Sequence, residues 1–311
     1  LWPADILFTY GLCGLLLFPL RRLPVPALLA TALLVMSLNA SLRWADLNEA
    51  RGLSAAYPDA LLQAEADPRA AEIVEQWENI VERTRPDVTS EELAETIRIT
   101  SSGEFGEFYR DRATTSLILQ TVVALNAWFL DALAVMLIGM AALRAGLFGE
   151  SARKAPLLLM LVGYGIGLPL SLGETWTLID VDFDPLMKKF WLVLYDLRRL
   201  LVAAGHLGLL LAWSRGSRFA WLKARVMAVG RMALSNYLGQ SILGALVFYT
   251  VGFGLFGRYT GWQIYIYVFA VWVFQLGFSH WWLGRYRFGP AEWLWRSLTY
   301  RQKQPLRIAP G

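Results

Sequence analysis

Cysteine and histidine are nearly missing from this chain of 311 residues. A single cysteine, Cys13, excludes an intrachain disulfide. Two histidines, His206 and His280, leave no His/Cys cluster of the kind that holds a transition metal, so no metal site is expected. Charged residues make up only 17% of the chain, below the roughly 25% usual in soluble domains. The sequence carries no Walker loop, no Gly-x-Ser-x-Gly and no His-Glu-x-x-His. The run Gly163-Tyr164-Gly165-Ile166-Gly167 has no strand before it and lies in an apolar segment, so it reads as helix packing and not as a dinucleotide loop. The chain opens Leu-Trp-Pro-Ala-Asp, without a methionine, a charged leader or a cleavage site. It is therefore expected to be the later part of something longer.

What is abundant is apolar sequence, 56% of residues, with a mean hydropathy of +0.41. Seven segments approach the length of about 20 residues that spans a bilayer core: 4–20, 26–42, 116–143, 155–172, 190–213, 226–252 and 262–282. Backbone groups in lipid must bond within their own segment, so each is expected to be a helix. The expected fold is all-α, a polytopic transmembrane bundle of about seven spans. The loops alternate in charge. Arg21 and Arg22 follow the first segment, and Arg144, Arg153 and Lys154 follow the third. Arg215, Arg218, Lys223 and Arg225 follow the fifth. The tail beyond residue 284 is also basic. Between them, residues 43–112 hold 16 acidic and 8 basic residues, and Asp180, Asp182 and Asp184 crowd one short loop. Lys and Arg mark the cytoplasmic side. The amino end of this chain and residues 44–114 are expected outside, and the carboxyl end in the cytoplasm. Basic residues that hug membrane edges form no basic domain, so nucleic acid is excluded as a partner and membrane lipids are expected instead.

Four parts follow from this reading: residues 1–43 with two spans, an acidic helical insert at 44–114, five spans in 115–284, and a basic tail at 285–311. In the insert, Asp67-Pro68 is an N-cap pattern, and Thr89 with Glu92 is a capping box. In the tail, Gly289-Pro290 opens a short amphipathic helix. Its Trp293, Trp295 and Tyr300 alternate with Arg296 and Arg301, a composition suited to the headgroup layer.

Ionisable residues within apolar runs are the candidate functional groups, because each costs about 2.5–3.5 kcal/mol to insert at mid-bilayer. Asp196, Arg199 and His206 fall on one helix face and read as an acid, a cation and a titratable ring lining a cavity, or as a structural ion pair with a bonded histidine. Asp131 needs a partner, for which Arg198 is one candidate, and Asp196 and Arg199 are expected within salt-bridge reach of each other or of Asp131. Asp5 lies at the outer end of its segment. Asn236 and Gln240 stack at i, i+4 behind Arg231, and serve either as polar glue between helices or as a ligand-facing surface.

The stretches Gly230-Arg231-Met232-Ala233-Leu234-Ser235-Asn236-Tyr237…Gln240-Ser241 and Arg287-Phe288-Gly289-Pro290-Ala291-Glu292-Trp293-Leu294-Trp295-Arg296-Ser297-Leu298-Thr299-Tyr300 closely resemble the carboxyl-terminal hallmark of the YeiB-like family, domain of unknown function 418. Asp5-Ile6-Leu7 with Tyr10, Gly11 and Arg21-Arg22-Leu23 resembles a mid-chain segment of the same family. The resemblance implies a bacterial inner-membrane protein. It also implies kinship with transmembrane acyltransferases, in which a CoA-type donor supplies an acyl group to an envelope glycan or lipid. On that reading Asp5, Asp131, Asp196, Arg199 and His206 are the candidate catalytic residues, and Arg231, Asn236 and Gln240 contact the acyl-CoA. A small-molecule or proton-coupled transporter and a non-catalytic scaffold are the alternatives.

Overall fold

The computed structural model describes residues 6–85, 91–149, 151–259 and 261–308. Among these residues there are thirteen α-helices, one π-helical stretch and a single β-bridge, Tyr286 to Arg307. The all-α expectation holds at this level. The chain divides into two compact units.

The amino-terminal unit comprises described residues within Asp5–Val88 and Gln120–Arg215. Its helices are α1 (Ile6–Leu20), α2 (Val25–Gln63), α3 (Pro68–Thr84), α6 (Phe129–Arg144), α7 (Ala155–Asp180), α8 (Pro185–Val193) and α9 (Tyr195–Arg215). Local chemistry sets several starts. Asp67 accepts from the Arg69 amide at 3.0 Å, with Pro68 first in α3, and Asp184 accepts from the Met187 amide at 2.8 Å, with Pro185 first in α8. Proline lacks the amide that a first helical turn would leave unbonded, so it costs nothing there. Cys13 of α1, Leu28 and Ala32 of α2, and Leu133, Leu137 and Ala141 of α6 make the buried apolar core. α7 and α9 cross through small residues. A Cβ on Gly163 would strike the backbone of Gly205 and Leu201, one on Gly208 the backbone of Pro156, and one on Gly167 the Val202 amide. The glycine run read as packing therefore packs, with Gly165 facing open space. Such crossings let helices approach where lipid offers no hydrophobic drive.

The carboxyl-terminal unit holds α4 (Glu91–Ser102), α5 (Phe105–Ile118), α10 (Ala220–Arg231), α11 (Ala233–Phe248), α12 (Trp262–Leu283) and α13 (Pro290–Thr299). Phe108, Ala245 and Tyr249 form its buried cluster. The stretch of residues 44–114 is shared between the two units, α3 in the first and α4 in the second. Thr89 lies outside the described residues, as does the side chain of Glu92.

Among the described residues, three helices, α2, α7 and α12, are long and apolar enough to cross a membrane, and a fourth span results if residues 105–144 count as one broken span. The expected spans differ from these helices at several points, among them the fifth, which is divided at Leu194 into α8 and α9. The second runs on unbroken to Gln63, well past residue 42. The third passes through a π-helical stretch, Leu119–Trp128, before α6. The sixth is divided at Met232 into α10 and α11. α1 and α11 are apolar but only 15 and 16 residues long. On α7, Leu161 and Leu172 stay 63% and 68% exposed, apolar surface that a helix in water would bury. These helices suggest a membrane protein.

Candidate functional site

Several polar residues within the apolar helices of the amino-terminal unit meet around Arg199. Arg199 of α9 forms a bidentate ion pair with Asp131 of α6, Nη1 to Oδ2 at 2.8 Å and Nη2 to Oδ1. Asp196, one turn earlier on α9, is 7% exposed. Its Oδ2 accepts from the Asn39 amide of α2 at 2.6 Å, and its Oδ1 stands 4.0 Å from Arg199 Nη2. Arg198 turns the other way and pairs with Glu174 of α7 at 2.7 Å. Arg199 thus lies within the expected reach of Asp131, and Arg198, the other candidate partner, does not pair with it. Neighbours on a helix diverge by about 100°, so only one of the two arginines can face α6.

Tyr195 begins α9 and lies among three guanidiniums. Arg43, Arg199 and Arg198 sit 5.0, 5.1 and 5.8 Å from its ring centroid. A ring face partly offsets the cost of gathering cations in a dry place. The Arg43 guanidinium also donates to the Leu192 carbonyl at 2.9 Å.

The electrostatics are uneven. Asp131, Asp196 and Arg199 carry two negative charges against one positive when all are ionised, while Arg198 and Glu174 balance. Asp196 Oδ1 is buried and has no hydrogen-bond donor among the described residues, and Arg199 Nε is likewise unbonded. Beside the Arg199–Asp131 pair lies a cavity of about 260 Å³ bounded by Thr9, Tyr10, Trp128, Asp131, Met136 and Arg199. Thr9 is 3% exposed, and its hydroxyl also has no partner there. Buried polar atoms are usually bonded, and exceptions gather where a ligand or water completes the set.

The other candidates lie elsewhere. His206 shares the α9 face of Arg199 but sits seven residues on, about 10 Å along the axis. It is exposed, bonds the Val202 carbonyl at 2.8 Å through Nδ1, and meets the Tyr164 ring edge-on at 5.4 Å. Asp5 lies outside the described residues. Asn236 and Gln240 belong to the carboxyl-terminal unit. Asn236 is buried there, donating to Ser279 Oγ at 3.0 Å and to the Val229 carbonyl at 3.2 Å, while Gln275 donates to its carbonyl at 3.1 Å. Gln240 is exposed, and Arg231 reaches the Arg287 carbonyl at 3.3 Å.

In that unit the two hallmark stretches clasp each other. Glu292 of α13 accepts from the Leu234 and Ser235 amides at 2.7 and 3.0 Å and from the Ser235 hydroxyl at 2.5 Å. Ser235 Oγ in turn accepts from the Ala291 amide at 3.0 Å. A carboxylate thus caps the start of α11, where amides are unpaired and the helix dipole is positive. A Cβ on Gly289 would press on the Glu292 carboxylate and the Ser235 hydroxyl, so a larger residue there would displace this contact.

Sequence reasoning missed Asn39, Thr9, Tyr195 and the Glu292–Ser235 contact. Asn39 had a usable signal, being an amide deep in an otherwise apolar run. Thr9 and Tyr195 had none, because both residue types are common in such segments.

Apolar helices, small-residue crossings and charges paired between helices define the class, an all-helical protein of membrane character. The family described as "Protein of unknown function (DUF418)" matches residues 142–302, just over half of the chain, and the chain belongs to that family. It is 35% identical over 178 residues to the uncharacterized protein YeiB of Escherichia coli (strain K12), covering 55% of this chain and 44% of that one. It is 49% identical over 79 residues to the uncharacterized protein YxaH of Bacillus subtilis (strain 168), covering 25% and 20%. A 39.9 kDa protein in the amylase 3′ region of Bacillus acidopullulyticus is 38% identical over 108 residues, covering 35% and 31%. The chain thus spans less than half the length of each of these relatives. No solved structure matches it.

Proposed function

We propose that this is an integral protein of a bacterial inner membrane that binds a small polar ligand at the Asn39–Asp196–Arg199–Asp131 cluster, as a transporter does. Seven spans, with residues 44–114 outside and the carboxyl end in the cytoplasm, complete the proposal. The observation that carries it is the unfilled bonding at the cluster. Two carboxylates share one guanidinium, a buried carboxylate oxygen lacks a donor, and a buried hydroxyl borders the adjoining cavity. Such a site favours a ligand that brings hydroxyl or amine donors. Ionisable groups held between apolar helices are common at substrate pathways.

Acyl transfer from a CoA-type donor to an envelope glycan or lipid is the second reading. It rests on the family resemblance and on the same cavity, where a carboxylate next to a bound hydroxyl is placed to accept its proton. Arg231 and Gln240, whose side chains are at the surface of their unit, are then the donor-facing residues. Proteoliposomes holding the full-length protein separate the two readings. Uptake of labelled glucose, N-acetylglucosamine or ethanolamine, lowered at least tenfold in Asp196→Asn, supports transport. Label moving from acetyl-CoA to membrane glycolipid, with the same dependence on Asp196, supports transfer. Neither activity in a folded protein, or activity indifferent to Asp196→Asn, overturns both.

A further inference from the structure

A second cavity, of about 460 Å³, lies in the amino-terminal unit among α2, α3 and α8. Its frame is well fixed. Leu47 and Ala50 of α2 are fully or almost fully buried, and Tyr57 bonds Glu78 at 3.2 Å and packs its ring against Trp77. Arg85, just past α3, bonds the Asp182 carbonyl and pairs with its carboxylate at 3.2 Å, which ties the end of α3 to the turn before α8.

The cavity walls carry more cation than they use. Lys189 is committed to Asp46, with Nζ at 2.6 and 2.7 Å from the two carboxylate oxygens. Arg83, Lys188, Glu49 and Asn79 also border the space, and no hydrogen bond or ion pair engages their side chains among the described residues. Two free cations face one free carboxylate, so the wall has a positive excess of one. The aliphatic side chains of Leu53, Ile80 and Leu192 line the floor.

We infer that this cavity binds a phosphate ester of a small polyol, of the glycerol phosphate type. A guanidinium fork and an ammonium beside it are the pair that phosphate oxygens favour, with the Asn79 amide as a third donor. Glu49 is then left to accept from a hydroxyl of the alcohol portion. The same chemistry occurs in a soluble ester and in a phospholipid headgroup. The cavity borders α2 at Asp46, two turns or about 10 Å beyond Asn39. The inference does not depend on how the Asp196 cluster is read, because the two sites share no lining residue.

The test uses the whole chain in detergent. Calorimetry with glycerol 3-phosphate probes the soluble ester, and native mass spectrometry with phosphatidylglycerol probes the headgroup. Binding of either ligand is expected, weakened at least tenfold in Arg83→Gln/Lys188→Gln and falling with added salt. Binding of both assigns the soluble ester, and binding of the lipid alone assigns the headgroup. Arg301→Gln/Lys303→Gln, with the same change in charge, is expected to keep glycerol 3-phosphate binding within twofold of the parent. Asn79→Leu, which removes a donor and fills space, reports on the site if the double variant does not fold. Failure of the parent to bind either probe, or unchanged affinity in the cavity variants, overturns the inference.

Discussion

The residues with most at stake are Asp131 and Arg199. Removing one member of a buried pair leaves the other charged, desolvated and alone, which costs about 3–5 kcal/mol when burial is complete. Arg199 is 34% exposed along its side chain and Asp131 19%, so solvent takes back part of that cost. Asp131→Asn is expected to destabilise by about 1–3 kcal/mol, because a neutral amide leaves the guanidinium with only Asp196 nearby. Asp131→Asn/Arg199→Gln is expected to cost less than the sum of the two single changes. Thermal melts in detergent across this four-member cycle measure that coupling. Gly163→Leu is a second residue-scale case. Its side chain would enter the backbone of Gly205 and Leu201, so α7 and α9 would have to separate. A lower melting temperature and faster hydrogen exchange along both helices are expected, whereas Gly165→Leu, in open space, should be tolerated.

At the scale of elements, the junction of α11 with α13 depends on one carboxylate. Glu292→Ala strips three acceptor contacts from the start of α11 and is expected to cost about 1–3 kcal/mol, in the range for loss of a cap or a buried hydrogen bond. Glu292→Gln keeps an acceptor oxygen and should recover part of this. Hydrogen exchange at the Leu234 and Ser235 amides is the direct readout. Within α4, one ion pair is sensitive to pH. Arg98 holds Glu95 and Glu107 together, with Nε and Nη2 each 2.7 Å from a Glu95 oxygen. Hydrogen bonding to Arg98 lowers the Glu95 carboxyl below its ordinary value of 4.5. A group whose acidity is strengthened by folding stabilises above its unfolded value and ceases to as the pH falls through its folded one. Hydrogen exchange along α4 is therefore expected to speed up slightly only below about pH 4.5, and to lose that dependence in Arg98→Gln.

For the whole molecule, orientation is the testable property. An alkaline phosphatase fused after Arg112 is expected to be active, and one fused after Arg307 inactive, because the short basic loops would stay in the cytoplasm. The opposite pattern would invert the proposed topology and, with it, the side from which the α2–α3–α8 cavity is reached.

The sequence by itself determined the helical class, because long apolar runs leave the backbone no partner but its own segment. It determined the family through the two hallmark stretches. It also drew attention to Asp131, Asp196 and Arg199, because the cost of a charge in an apolar segment needs no coordinates to be noticed. The local cap at Asp67 was within its reach because it depends on a neighbour two residues away, whereas the cap at Asp184 was read only as part of an acidic loop. Tertiary structure decided what depends on distance across the chain. It assigned Arg199 to Asp131 and Arg198 to Glu174, since adjacent side chains on a helix point to different neighbours. It separated His206 from the acids on its own face, because a shared face says nothing about separation along the axis. It supplied Asn39 to Asp196 and Glu292 to Ser235 across gaps of 157 and 57 positions, contacts that helical period and residue type leave open.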